Sequence, residues 1–286
     1  MIRDPSVIDA HHHLWDPATA DYPWMTDDLA AIRRRFDTDD LAPLLAAAGV
    51  DATVLIQTRS SVAETEEFLA VADTSPFVAG VVGWSDLTDA GIGDAIARLR
   101  SLTGGERLVG IRHQVHDEPD PDWLRRPDVR RGVAAVGSAG LVYDLLVRTR
   151  ELPAALDLAR DLAAVPFVID HLAKPPIRDG TLGPWADAVA PFGELPNVSA
   201  KVSGLLTEAD WARWTVDDLV PPIRHALDVF GPERLLFGSD WPVSLLAAPY
   251  ERVVAATIEA LDRAGLAASD RAAVMGLNAA RVYRLA

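Results

Sequence analysis

Apolar residues along the chain fall into two spacings. Runs rich in Val, Ile and Leu, closed by turn residues, predict strands at residues 7–13, 52–57, 78–84, 108–113, 141–147, 167–171, 197–203 and 235–240. Between them apolar positions recur at helical spacing, for example over residues 62–72, 92–102, 153–163, 211–230 and 250–264, with Pro or Asp near several starts. Strand and helix alternate throughout. Eight such units in 286 residues predict an α/β fold, a distorted (β/α)8 TIM barrel forming a single domain over residues 1–286. Residues 14–49 are too many for one crossover, so an extra excursion is expected after the first strand. A doubly wound sheet is the competitor. It fits less well, because no strand runs into a glycine-rich phosphate turn, and Gly137-Ser138-Ala139-Gly140 precedes a strand as a helix stop would. Residues 271–285 read as closing helices packed on the barrel.

In a barrel of this type the side chains at the carboxyl ends of the strands meet at one mouth. The polar residues that interrupt the apolar runs fall at those ends. Strand one ends in His11-His12-His13, strand four in Arg112-His113, strand six in Asp170-His171 and strand eight in Gly238-Ser239-Asp240-Trp241, while strand seven carries Lys201. The period of two puts His11 and His13 on one face together with Asp9, and turns His12 the other way. Such a pair of imidazoles can ligate a divalent metal, or polarise a substrate oxygen without one. A truncated purification tag is the bland alternative, but strand-like residues precede the run and Leu14-Trp15 follows it.

Asp240 is the leading general base. Partial desolvation raises a carboxyl pKa there, and nearby imidazoles or a metal lower it; the structural alternative is a turn cap ahead of Trp241-Pro242. His171 joins the same predicted rim. Arg112 either clamps the substrate with its planar fork or forms a rim salt bridge with Asp117 or Glu118. Lys201 shares a polar strand face with Ser199 and Ser203, which suggests substrate contact. The aromatic segment from Trp15 to Trp24 is a lid or sugar-stacking wall, with Trp24 as the contact, or a loop pinned by aromatic burial. His113 and His116 are assigned no ligand role.

Composition narrows the chemistry. A hydrophobic content of 49% is ample for one continuous core. The formal net charge of -15 lacks the basic footprint of a nucleic-acid binder and points to a small-molecule partner. There is no cysteine, so thiolate nucleophiles and thiolate metal sites are excluded and any metal must rely on His and carboxylate. No apolar run is long enough for a bilayer and no signal-like start is present, so the expected location is cytoplasmic, with no membrane partner. No G-x-S-x-G elbow exists, which argues against a serine hydrolase. Only Lys174 and Lys201 are lysines among 27 basic residues. None ends strand four, so a second metal bridged by a carboxylated lysine has no provider.

Five segments in order, VIDAHHHLWDP, GIRHQVHDEPDPDWL, VIDHLAKPPI, NVSAKVSGL and RLLFGSDWPVS, resemble the amidohydrolase superfamily, in particular the sugar-lactonase and dicarboxylate-lactonase branch of its amidohydrolase-2 proteins. The resemblance implies a distorted TIM barrel that hydrolyses a lactone such as fuconolactone, rhamnonolactone or galactonolactone. By that likeness His11 and His13 match the strand-one pair, His171 the strand-six histidine and Asp240 the strand-eight aspartate. Members of the branch carry one divalent ion, often zinc, or work without any. The resulting expectation is that Asp240 activates a water while His171, His11 and His13, directly or through a metal, polarise the carbonyl. A metal-dependent decarboxylase or C–N amidohydrolase on the same barrel is the alternative, and a non-catalytic sugar-acid binder is a third reading. Self-association into a homo-oligomer is left open.

Overall fold

A computed structural model describes residues 7–285. Eight strands, β1 (Ile8–His12), β2 (Ala52–Ile56), β3 (Val78–Gly83), β4 (Leu108–His113), β5 (Val142–Leu145), β6 (Phe167–Ile169), β7 (Val198–Val202) and β8 (Leu235–Phe237), pair in sequence order. Every pairing is parallel. The helices are α1 (Thr38–Ala48), α2 (Val62–Thr74), α3 (Ile92–Arg100), α4 (Pro127–Ser138), α5 (Leu152–Asp161), α6 (Leu182–Val189), α7 (Leu205–Glu208), α8 (Val216–Phe230), α9 (Tyr250–Ala264) and α10 (Asn278–Tyr283). The ring closes beyond the end of β8, where Asp240 N donates to His11 O and His13 N donates to Trp241 O, both at 2.7 Å. This is the TIM barrel the alternation of elements predicts. Among the described residues no helix is long and apolar enough to cross a membrane.

Strand period sorts the core into two bodies. Ile8, Ala10, Val54, Val82, Val142, Val168 and Leu236 point into the barrel, where Ala279 and Tyr283 of α10 and Leu285 join them. Intervening residues such as Leu55, Val81, Ile111, Tyr143 and Phe167 pack outward against the helices. The tail does not merely lie on the barrel: it fills its amino-terminal end. The excursion after β1 is pinned by aromatic burial. Trp15 and Phe36 exchange backbone hydrogen bonds at 3.1 and 2.9 Å, and Trp15 meets Tyr22, Trp24 and Phe36 ring to ring.

Three expectations are corrected. The β1–β2 register shifts between Asp9 and His12, so Asp9 does not share a face with His11 and His13. Asp9 instead turns towards α9, accepting from the Tyr250 hydroxyl at 3.0 Å and from Ser239 N at 2.8 Å. A bulge resets strand period, which sequence alternation alone does not register. Strands six and eight stop at Ile169 and Phe237, short of the predicted His171 and Asp240. Helix α8 begins at Val216, not Trp211, because Thr215 and Asp218 form a reciprocal cap at its start.

Candidate active site

The site is assembled at the carboxyl ends of β1, β6, β7 and β8. The β1 bulge lets His11 and His13 meet with Nε2 atoms 3.2 Å apart. After β6 the chain enters the left-handed region for four residues, His171 to Lys174, with φ between 50° and 59°. After β8 Asp240 does the same at φ 58°. Such backbone costs on the order of 1 kcal/mol or more per non-glycine residue and persists where the surroundings over-determine it. Here it turns His171 and Asp240 to one point. Asp240 Oδ1 lies 3.4 Å from His13 Nε2, 3.7 Å from His11 Nε2 and 3.9 Å from His171 Nε2.

Each imidazole is fixed by its other nitrogen. His13 Nδ1 is 2.8 Å from Ile56 O. A carbonyl only accepts, so Nδ1 carries a proton and donates it there. His171 Nδ1 is 2.9 Å from Ser203 Oγ, and His11 Nδ1 is 3.3 Å from Asp170 Oδ1. Outer partners of this sort orient metal-binding histidines. Gly204, at φ +62°, makes room for them: a Cβ there would stand 2.5 Å from His171 Nδ1 and 3.1 Å from Asp240 Oδ2.

Burial governs the charge states. It holds His11 well below the usual imidazole range and lowers His171 to about 4, although Asp170 and Asp240 act the other way. Both rings are therefore neutral at neutral pH. Burial also works to raise Asp240, but His171 and the His13 hydrogen bond outweigh it and its carboxyl lies below the ordinary range. Asp240 is ionised. The Asp240 carboxylate and the His13 Nε2 stand 3.4 Å apart at this floor. The edges of a tetrahedral zinc site measure roughly 3.3–3.6 Å for bonds of ~2.0–2.2 Å, so His11, His13 and Asp240 fit one divalent metal, and all their ligand atoms lie within 4.8 Å of one another. His11, Asp170 and His171 form a second such group. His11 Nε2 also stands 3.3 Å from Arg112 Nη1.

Above this floor opens a cavity of about 430 Å³, lined by His13, His171, Asp240, Arg112 and Trp24 among others. Its size is that of a small-molecule site. Arg112 makes no salt bridge with Asp117 or Glu118; it pairs with Asp170 at 2.9 Å and with Gln57. Those two acids face His116 and His113 instead. Lys201 is not in the wall. It is fully buried beneath the floor, paired with Asp144 at 2.6 Å and Asp170 at 2.9 Å, so its expected contact with substrate is corrected. The β7 alternation aims it inward correctly, but strand period does not report depth in the barrel. The wall also contains Gln114, His116, Arg148, Lys174 and Trp211, none of which the sequence reading selected. They sit on turns and loops beyond the strands, where no periodicity marks them; the scarcity of lysine was the one available signal for Lys174.

Fold and centre together define a TIM-barrel enzyme with a histidine and aspartate site at the strand carboxyl ends. A family model described as Amidohydrolase matches residues 8–285, and the chain belongs to that family. It is 41% identical over 284 residues to an L-fucono-1,5-lactonase of Burkholderia ambifaria, covering 97% of this chain and 95% of that protein. With an L-fucono-1,5-lactonase of Burkholderia multivorans the identity is 39% over 291 residues, covering 97% and 96%. A crystal structure of an amidohydrolase from Burkholderia multivorans with bound zinc superposes with a TM-score of 0.93 at 37% identity, covering 98% of this chain and all of that one.

Proposed function

We propose that this enzyme opens the ring of a sugar-acid lactone by water attack on its carbonyl. One observation carries the reading: the buried Asp240 carboxylate stands 3.4 to 3.9 Å from three imidazoles at the floor of the cavity, where it can take a proton from a water held among them. Likeness to two L-fucono-1,5-lactonases along nearly the whole chain supports the substrate class. In the proposed step Asp240 takes a proton from water as its oxygen bonds to the carbonyl carbon. The tetrahedral adduct then collapses, the ring C–O bond breaks, and Asp240 returns the proton to the departing ring oxygen. His13 is oriented by its Nδ1–H on Ile56 O, with Nε2 turned to Asp240. Arg112, whose Nη1 reaches the site, supplies a donor for the developing oxyanion; one good donor is worth ~3 to 4 kcal/mol in related chemistry. Trp24 forms an apolar wall for the sugar ring.

His11, His13, Asp240 and His171 are the residues that would hold a divalent ion, and the zinc in the Burkholderia multivorans structure makes zinc the first candidate. When bound, such an ion supplies a Lewis acid and a more acidic water.

Asp240→Asn tests the assignment. Its kcat is expected to fall by about 10²–10⁴, the range for a lost general base, with circular dichroism and Tm close to wild type. A pH-indicator assay over five- and six-membered sugar lactones, with and without chelator, reads the acid released. Turnover by the Asn variant near the wild-type rate sinks the base; a wild-type protein that acidifies no lactone solution sinks the lactone reading and turns attention to decarboxylation or C–N hydrolysis.

A further inference from the structure

Beside the cavity above the floor lies a second space of about 560 Å³. Arg148, Lys174, Thr207, Glu208 and Trp211 line both, so the two chambers share a wall. The second chamber adds Arg150 and Arg178 against the single acid Asp179, which makes this side of the mouth basic in a chain whose net charge is -15. Most of these cations are engaged. Lys174 Nζ pairs with Glu208 at 2.9 Å, and Arg150 is held by Glu151 and by the carbonyl oxygens of His116 and Glu118. Arg178 leans on the Trp211 ring, 5.9 Å from its centre. Arg148 differs. Its backbone N–H donates to Glu151 at 2.8 Å, but its exposed guanidinium has no ion-pair partner among the described residues.

The charge created by the reaction gives that guanidinium a purpose. Opening a neutral lactone produces a carboxylate where none stood before. It forms at the floor beside Asp240, and like charges repel strongly in a site shielded from water. Arg112, which reaches the floor, is already paired with Asp170 at 2.9 Å. The shared wall offers the next positive charge outward. Lys174 is close enough to act on Asp240 and His171 at the floor, and both it and Arg148 act on His116 and Asp117 further along the wall. His116, held at about 2 by burial and then by Lys174 and Arg148, stays neutral at neutral pH and adds no charge of its own. A guanidinium with its fork unoccupied matches a carboxylate with two parallel N–H···O bonds, which an ammonium tied to Glu208 cannot do.

We infer that the shared wall is a product subsite: Arg148, with Lys174 beside it, takes the carboxylate of the ring-opened sugar acid and draws it off the floor towards the second chamber. The identity of the anion rests on the lactone reading above, whereas the subsite itself is tested without turnover. Isothermal titration calorimetry of the full-length protein uses L-fuconate, the open acid of L-fucono-1,5-lactone, as the probe. The wild type is expected to bind it with an affinity that weakens as NaCl rises from about 0.05 to 0.5 M. Arg148→Gln should raise Kd about tenfold, as for a lost charge-assisted contact, and flatten that salt dependence. Arg148→Lys keeps the charge and should recover most of the affinity. Because the side chain is exposed and unpaired among the described residues, both variants are expected to melt within a few degrees of wild type. On a lactone that the wild type hydrolyses, inhibition by added L-fuconate should weaken in Arg148→Gln by the same factor as the calorimetric Kd. An Arg148→Gln protein that binds L-fuconate as tightly as wild type overturns the inference, and so does a wild type that does not bind it. A wild type that acidifies no lactone solution sinks the lactone reading alone, since the calorimetric comparison decides the subsite either way.

Discussion

Single side chains in this molecule owe their roles to what surrounds them more than to their type. All three imidazoles at the centre were visible as residues that break apolar runs, yet their orientation follows from Ile56 O, Ser203 Oγ and Asp170, contacts that no spacing reveals. His116 shows the same dependence away from the floor. Burial, helped by Lys174, Arg148 and Arg112, depresses its pKa to about 2. Between that value and the ~6.5 of an unfolded histidine, the unfolded chain binds a proton the folded one refuses, so stability falls as pH drops below about 6.5 and keeps falling towards 2. At pH 5 the loss from this one group is on the order of 2 kcal/mol relative to pH 8. His116→Gln should therefore lose less stability than wild type between pH 8 and pH 5 in urea melts. Identical losses in the two proteins would show that His116 protonates freely in the fold.

At the scale of elements, apolar spacing located all eight strands, and β4 matches residue for residue. The ends were harder. Residues 167–171 and 235–240 read as continuous strands, whereas the last residues of each, His171 and Asp240, leave the sheet with positive φ. Nothing in the side-chain pattern distinguishes a strand from a left-handed turn that follows it, because the turn is imposed by the neighbouring β7 turn. Gly204 is that neighbour. Gly204→Ala would place a methyl 2.5 Å from His171 Nδ1 and adopt φ +62° at a further cost of about 1–2 kcal/mol. The expected outcome is a folded protein with a lower Tm and a kcat reduced at least tenfold, since misplacing reacting groups by about 1 Å can cost ~100-fold. Full activity in the alanine variant would mean that the β6 and β8 turns are not held against β7.

Across the whole molecule the barrel brings residues as far apart as 11 and 240 within 3.7 Å. The buried interior around the centre holds Lys201 and Arg112 against Asp144, Asp170 and Asp240, a surplus of acid beside neutral imidazoles that suits a cation. Equilibrium dialysis with zinc should find one equivalent per chain, lost in His13→Ala. Binding should raise Tm, by linkage, as zinc concentration rises above Kd. Zinc bound equally by the alanine variant would place any metal elsewhere.

Taken by itself, the order of apolar and polar residues determined the barrel, because inward and outward burial write the same alternation into every βα unit, and it determined which polar residues stand near the mouth. Tertiary structure alone decided which of those residues meet. A bulge in β1 excludes Asp9, depth along β7 puts Lys201 under the floor instead of in the wall, and the tail joins the interior through Tyr283. Register, depth and long-range closure are properties of how strands pack on one another, and a one-dimensional pattern with period two carries direction but not height.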